Sequence, residues 1–132
     1  MAKRKVFISY DYVNDRHYKN LLLAWDSNKQ FDFSISDYSA DVSINSTKAA
    51  TIKSVLSRYI NEATTFLVIV GKNTHKSEWV RWEIRKAIEL KKKIVAVKTD
   101  RENKTPIELY GIGASWAMSF TYSSIVTAIK NA

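Results

Sequence analysis

The stretch that decides the fold is Thr65-Phe66-Leu67-Val68-Ile69-Val70-Gly71, an almost entirely apolar run that ends at a glycine. A short, continuous apolar run of this kind is typical of a strand buried on both faces of a parallel sheet. We therefore place residues 65–70 at the centre of a sheet and interpret the segments on either side from there.

Strand and helix patterns alternate on both sides of this run. Further strands are predicted over residues 5–10, 31–35, 94–97 and 116–119, and helices over residues 14–25, 49–60, 77–91 and 122–129. In residues 31–35, Phe31, Phe33 and Ile35 alternate with polar residues, which predicts an edge strand with one wet face. The inward faces are predicted to carry Tyr18, Leu21, Leu22 and Trp25 on the first helix and Val80, Ile84, Ala87 and Ile88 on the third, with Asn14 as the cap of the first.

The alternation predicts one α/β domain over residues 1–132. Buried central strands separated by helices indicate a parallel sheet covered on both faces. Five strands of this size fit the flavodoxin-like, doubly wound order 2-1-3-4-5, and the edge character of the second strand agrees with that order.

Composition excludes several kinds of site. The chain has no cysteine, so a disulfide scaffold, a thiol nucleophile and a Cys-based metal site are ruled out, and with only two histidines we expect no zinc site. The net charge of +8 favours anionic ligands or partners, but the basic residues are scattered, so nucleic acid is not expected. No membrane span or export signal is found, and a cytoplasmic location is expected.

Ligands of such sheets bind beyond the carboxyl ends of the strands, at the switch point between strands 1 and 3. The first turn, Tyr10-Asp11-Tyr12-Val13-Asn14, lacks the glycines of a dinucleotide-binding motif or a P-loop and the Ser/Thr-rich loop of a flavodoxin. Strand 3 ends in Val70-Gly71 without the aspartate of a receiver domain.

Two motifs carry a resemblance to a known superfamily. Val6-Phe7-Ile8-Ser9-Tyr10 is similar to the "FISY" start of TIR domains, and Ser77 to Ile84 looks like the S-x-W-x-x-x-E element that opens the third TIR helix. The combination of Tyr10-Asp11-Tyr12 with Asn73-Thr74-His75 most resembles the TIR-like branch that includes the ThsB proteins of the bacterial Thoeris anti-phage system.

The resemblance implies a function and a site. Glu83 would be the catalytic residue of an enzyme that cleaves the nicotinamide–ribose bond of NAD and makes an ADP-ribose-type signal for a separate effector. NAD would be a substrate rather than a bound cofactor, and self-association would accompany activation. The residues expected to bind substrate are Ser9, Tyr10, Asp11, Asp37, Tyr38, Asn73, His75 and Trp79.

Alternatives stay open at this point. Trp79 and Glu83 share a helix face that borders the apolar stripe, which places Glu83 at the rim of the core, yet Glu83 could instead pair on the surface with Lys86 or a neighbouring arginine. The protein could be a non-catalytic interaction module, or a nucleoside deoxyribosyltransferase-like enzyme that also needs a carboxylate near C1′. The acceptor of the ADP-ribosyl group could be water, the molecule's own adenine or ribose, or an added small molecule.

Overall fold

The computed structural model of the chain describes residues 4–25, 31–35 and 44–132. The strands are β1 (Arg4–Ser9), β2 (Phe31–Ile35), β3 (Thr65–Val70), β4 (Lys93–Lys98) and β5 (Ser115–Ala117). The helices are α1 (Tyr12–Trp25), α2 (Ala49–Glu62), α3 (Glu78–Glu89) and α4 (Tyr122–Asn131), with short 3₁₀ turns at Thr74–Lys76 and Ile107–Leu109.

All five strands form one parallel sheet in the order β2-β1-β3-β4-β5. The predicted flavodoxin-like order is confirmed, and β2 lies at an edge as its alternating pattern indicated. Every residue of β3 is buried, because a central strand of this sheet has helices over both of its faces. The final strand is shorter than predicted. It ends at Ala117, two residues before the predicted end.

Two separate apolar layers enclose the sheet. Phe66, Val68 and Val70 point to the layer beneath α2 and α3, while Leu67 and Ile69 point to the layer beneath α1 and α4. The Phe7 and Phe66 rings stack across β1 and β3 in the first of these layers, with centroids 5.6 Å apart. Alternate residues of a strand therefore contact helices on opposite faces of the sheet. This alternation determines which of the two layers a side chain at the end of a strand enters.

The prediction that Asn14 caps α1 is wrong. The helix begins two residues earlier, at Tyr12, because an Asp11 carboxylate oxygen accepts the Val13 amide proton at 3.2 Å. The other carboxylate oxygen of Asp11 accepts the side-chain amide of Asn14 at 2.7 Å. Asp11 is thus the capping residue, and Asn14 supports it.

Two residues expected to face the core are exposed instead. On α1 the buried stripe runs through Asp15, Lys19 and Leu22, so Leu21 lies about 100° around the helix from Leu22 and is 39% exposed. On α3 the stripe includes Glu83 and Ala87, which leaves Ile88 at its edge and 37% exposed. The apolar pattern predicted the helices correctly but placed their buried faces at the wrong angle, because polar residues occupy part of each buried stripe.

Candidate functional site

Buried polar side chains concentrate at the carboxyl edge of the sheet. Among the described residues the buried polar or charged set is Ser9, Asp15, Lys19, Thr65, Thr74 and Glu83. All except Thr65, at the start of β3, lie on or next to the segments that follow β1 and β3. Since burying polar groups is unfavourable without a compensating contact or a role, this edge is the candidate site.

Glu83 is the most enclosed carboxylate of this edge. The Ser77 hydroxyl accepts the Val80 amide at 3.2 Å and starts α3, which brings Glu83 onto the inward stripe of the helix. Glu83 is 2% exposed, and the Ser9 hydroxyl donates a hydrogen bond to its Oε1 at 2.8 Å. Ser9 ends β1 and is in register with Val68 of β3, so the pair lies at the switch point of the sheet.

Glu83 lies deeper than the sequence predicted. We expected it at the rim of the core, yet it is buried within it, because the helix stripe predicts a direction but not a depth. The alternative of a surface pair is wrong as well. Lys86 pairs with Glu89 at 2.9 Å, and Arg81 and Arg85 each pair with Glu108 at 2.9 Å.

A second polar cluster lies on the α1 side of the same edge and holds the turn after β3. The Thr74 hydroxyl accepts the Gly71 amide at 2.8 Å and lies 3.3 Å from Asp15 Oδ2 and 3.2 Å from the Ile69 carbonyl. A Cβ on Gly71 would lie 2.2 Å from Asp15 Oδ2, so the Asp15 carboxylate would have to shift. Glycine at position 71 thus leaves room for the carboxylate of α1 to pack against this turn.

The electrostatics of this second cluster are unfavourable to a charged Asp15. Burial raises the pKa of the Asp15 carboxyl above 3.8, and the negative charge of Asp11 raises it further. The hydrogen bond from Thr74 and the nearby His17 act in the opposite direction. Lys19, which is also buried, places its ammonium 5.7 Å from the centre of the Tyr10 ring.

The structure brings Ser9 and Glu83 together but gives other predicted residues different positions. Tyr10 is buried in the α1/α4 layer, and Asp11 caps α1. Trp79 is 7% exposed, packs in the α2/α3 layer and meets Trp82 edge-on at 6.2 Å, which is the arrangement of a packed aromatic residue.

The remaining predicted residues lie in or near the turns of this edge. Asn73 precedes the 3₁₀ turn that contains His75, and both are half-buried. His75 Nδ1 is buried and has no hydrogen-bond partner among the described residues. Asp37 and Tyr38 lie outside the described residues.

Sequence reasoning missed Asp15, Lys19 and Thr74. Asp15, Lys19 and Leu22 follow one another at helical spacing, so a polar pair on the buried stripe of α1 was the available signal. Thr74 was named only as part of the motif Asn73-Thr74-His75, and its own role depends on contacts with Gly71 and Asp15 that only the fold creates.

Within residues 4–25, 31–35 and 44–132, no cluster of His, Asp and Glu residues suits a metal ion. None of the helices in these ranges is both long and apolar enough to cross a bilayer. A cavity of about 310 Å³ lies between α2 and α3, and its lining residues do not include Glu83.

The parallel sheet order defines a doubly wound, flavodoxin-like α/β protein, and Glu83 is buried at the switch point of this sheet. Its family follows from the sequence, because the family model "Thoeris protein ThsB, TIR-like domain" matches residues 7–104. The chain belongs to this family of TIR-like domains. None of the curated proteins matches it.

Solved structures of several kinds share the fold. A 2-deoxyribosyltransferase from Bacillus psychrosaccharolyticus is 13% identical with a TM-score of 0.64, covering 92% of this chain and 95% of its own. The corresponding enzyme from Leishmania mexicana is 12% identical with a TM-score of 0.63, covering 97% of each chain. The TIR domains of the activated Roq1 resistosome are 22% identical with a TM-score of 0.50, over 77% of this chain and 65% of theirs. At these identities the likeness concerns the fold alone.

Proposed function

We propose that this protein cleaves the nicotinamide–ribose bond of NAD, with Glu83 as the catalytic residue, and that the ADP-ribose-type product is a signal in anti-phage defence. The observation that carries the proposal is the buried Glu83 carboxylate with the Ser9 hydroxyl 2.8 Å from Oε1, at the switch point of the sheet. Membership of the ThsB family supports the defence role.

The chemistry needs a fixed negative charge more than a proton donor. When the bond between C1′ and the pyridinium nitrogen breaks, the electron pair goes to the nitrogen, and nicotinamide leaves as a neutral molecule. Positive charge develops on C1′ and the ring oxygen, as it does in glycoside hydrolysis. A carboxylate in a water-poor site stabilises that charge strongly, which is the role we assign to Glu83.

Ser9 positions the carboxylate in this proposal. Its hydroxyl donates to Oε1, and we assign Oε2 as the oxygen that approaches the sugar. Because Ser9 is the last residue of a buried strand, it holds the carboxylate against rotation without adding a compensating positive charge.

The remaining substrate contacts are proposed for the turns at the carboxyl edge. Tyr10 and Asp11 follow β1, and Asn73 and His75 follow β3. The resemblance adds Trp79 of α3 to the proposed set, together with Asp37 and Tyr38 from outside the described residues. The net charge of +8 favours the approach of the NAD pyrophosphate.

We propose that the described conformation is an inactive one. The Glu83 carboxylate is 2% exposed, so a ribose could contact it only after the surrounding residues move. We therefore expect turnover only after an activating step, which we propose to be self-association, with a separate effector responding to the product.

Two rival functions give different products. A non-catalytic interaction module would leave NAD intact in every assembly state. A deoxyribosyltransferase-like enzyme, suggested by the shared fold, would release a free nucleobase from a nucleoside instead of nicotinamide from NAD.

The proposal is tested by mass spectrometry of small molecules from cells that express the protein, with and without phage. Infected wild-type cells should lose NAD and accumulate nicotinamide with an ADP-ribose derivative, whereas Glu83→Gln cells should not. Glu89→Gln is the matched control, since Glu89 lies on the same helix and makes an exposed pair with Lys86. An unchanged product pattern in the Glu83→Gln cells would overturn the role of Glu83.

A further inference from the structure

The outer side of α3 borders a second site candidate that the proposed function does not use. A cavity of about 310 Å³ lies between α2, α3 and the turn before α2. The cations Lys53, Arg81 and Arg85 line it, together with Trp82, Asn45 and Glu78. Glu83 lies on the buried side of the same helix, so this cavity is separate from the proposed catalytic carboxylate.

Two of the three cations are held in place by a carboxylate behind them. Arg81 donates from Nε to both Glu108 oxygens, at 3.1 and 2.9 Å, and a terminal nitrogen of Arg85 donates to the same carboxylate at 2.9 Å. The Glu108 side chain is only 9% exposed. A shielded carboxylate thus fixes two guanidinium groups side by side, which reduces the conformational entropy that a ligand would have to remove.

Both arginines keep most of their hydrogen-bonding capacity. A guanidinium carries five N–H donors, and in the described part of the chain Arg81 donates only through Nε and Arg85 only through one terminal nitrogen. The other donors belong to side chains that line the cavity. Adjacent guanidinium groups with free donors match the oxygens of a phosphate group.

The third cation of the cavity wall also has a contact that holds it in place. The Lys53 ammonium lies 5.8 Å from the centre of the Trp82 ring, which lines the same cavity. The volume is at the lower end of the range of small-molecule sites, which begins at about 300 Å³. It suits a mononucleotide better than a whole dinucleotide.

We propose that this cavity binds the phosphate groups of a small, nucleotide-sized ligand, with Arg81, Arg85 and Lys53 as the phosphate-contacting residues. Around the cavity these three positive charges face two negative ones, Glu78 and Glu108, so the site keeps a positive excess. The proposal goes beyond NAD cleavage and does not depend on it.

Calorimetric titration of the purified chain with ADP, pyrophosphate and adenosine tests the proposal. ADP and pyrophosphate should bind and adenosine should not, and binding should weaken as salt is added. Arg85→Gln should weaken ADP binding about tenfold, through the loss of charge-assisted hydrogen bonds, and Lys53→Gln should weaken it several-fold. Arg85 is half exposed, so Arg85→Gln should fold, and circular dichroism verifies this.

Two matched variants test whether ADP binds in this cavity rather than elsewhere on the basic surface. Arg58→Gln removes the same charge from an exposed position of α2 outside the cavity and should bind ADP within twofold of wild type. Glu83→Gln should also bind ADP normally, so that the failure of the catalytic proposal would leave this result unchanged. No binding of ADP, or an equal loss in Arg58→Gln and Arg85→Gln, would overturn the proposal.

Discussion

Two shielded carboxylates, Glu83 and Glu108, lie on opposite sides of α3 and have different partners. Glu108 contacts the outer side of the helix and pairs with Arg81 and Arg85, which lie two residues before and two residues after Glu83. Glu83 points inward and accepts a hydrogen bond from the Ser9 hydroxyl. The difference teaches that α3 directs Arg81 and Arg85 to Glu108 on its outer side, where that carboxylate has a structural role. The inward carboxylate, Glu83, is the one to which we assign the catalytic role.

The largest effect expected from this comparison is catalytic. Glu83→Gln keeps the shape of the side chain and removes its charge, so activated protein should lose at least about 100-fold in the rate of nicotinamide release. Glu108→Gln should keep a rate close to wild type, because its carboxylate faces the arginines. Nicotinamide release is compared between proteins in the same assembly state. Equal losses in the two variants would contradict the different roles assigned to the two carboxylates.

A third carboxylate, Asp15, extends the comparison to the α1 side of the edge. Gly71→Ala would place a methyl group 2.2 Å from Asp15 Oδ2, so it should destabilise the fold by about 1–3 kcal/mol in urea unfolding. The double variant with Asp15→Ala removes the obstructing carboxylate and should recover part of that loss. If the single and the double variant were equally unstable, the packing of Asp15 against Gly71 would not explain why residue 71 is glycine.

The structural role of Glu108 predicts a smaller effect on stability. Glu108→Gln weakens the link between α3 and the 3₁₀ turn at Ile107–Leu109, and it should lower the free energy of unfolding by about 1 kcal/mol. The value is modest because both arginines are partly exposed to solvent. The loss should shrink in high salt, and a salt-independent loss would argue against an ion-pair origin.

The smallest expected effect is the pH dependence that comes from Asp15. Its pKa in the folded chain is raised by burial and by Asp11, so the folded state keeps a proton that the unfolded state has already released. Stability should therefore fall as the pH rises from about 4 through the raised pKa. The side chain of the Asp15→Asn variant cannot ionise. The free energy of unfolding of the wild type should therefore fall relative to that of the variant over this range of pH. A pH-independent difference in urea midpoints would contradict this assignment.

Much of the fold could be predicted because it depends on local patterns. The run Thr65–Val70 gave both ends of β3 correctly, since an apolar segment closed by glycine fixes its own length. The start of α1 was less well defined, because Asp11 and Asn14 both have capping side chains and only the folded turn selects Asp11.

The candidate site was predictable only in part. Ser9 and Glu83 were named from motifs, but the depth of Glu83 depends on how closely α3 packs on the sheet, which no helical pattern contains. The contacts of Asp15 with Thr74 and Gly71 join α1 to the turn after β3, so they exist only once the two segments meet.

The most direct test of the central claim is a crystal structure of the activated protein with an NAD analogue whose ribose ring oxygen is replaced by a methylene group. This replacement prevents the positive charge on C1′ from being shared with oxygen, so the ligand should remain intact. The account predicts the C1′ atom about 3–3.5 Å from a Glu83 carboxylate oxygen, with Ser9 still bound to the other oxygen. An analogue bound elsewhere, with Glu83 still covered, would contradict it.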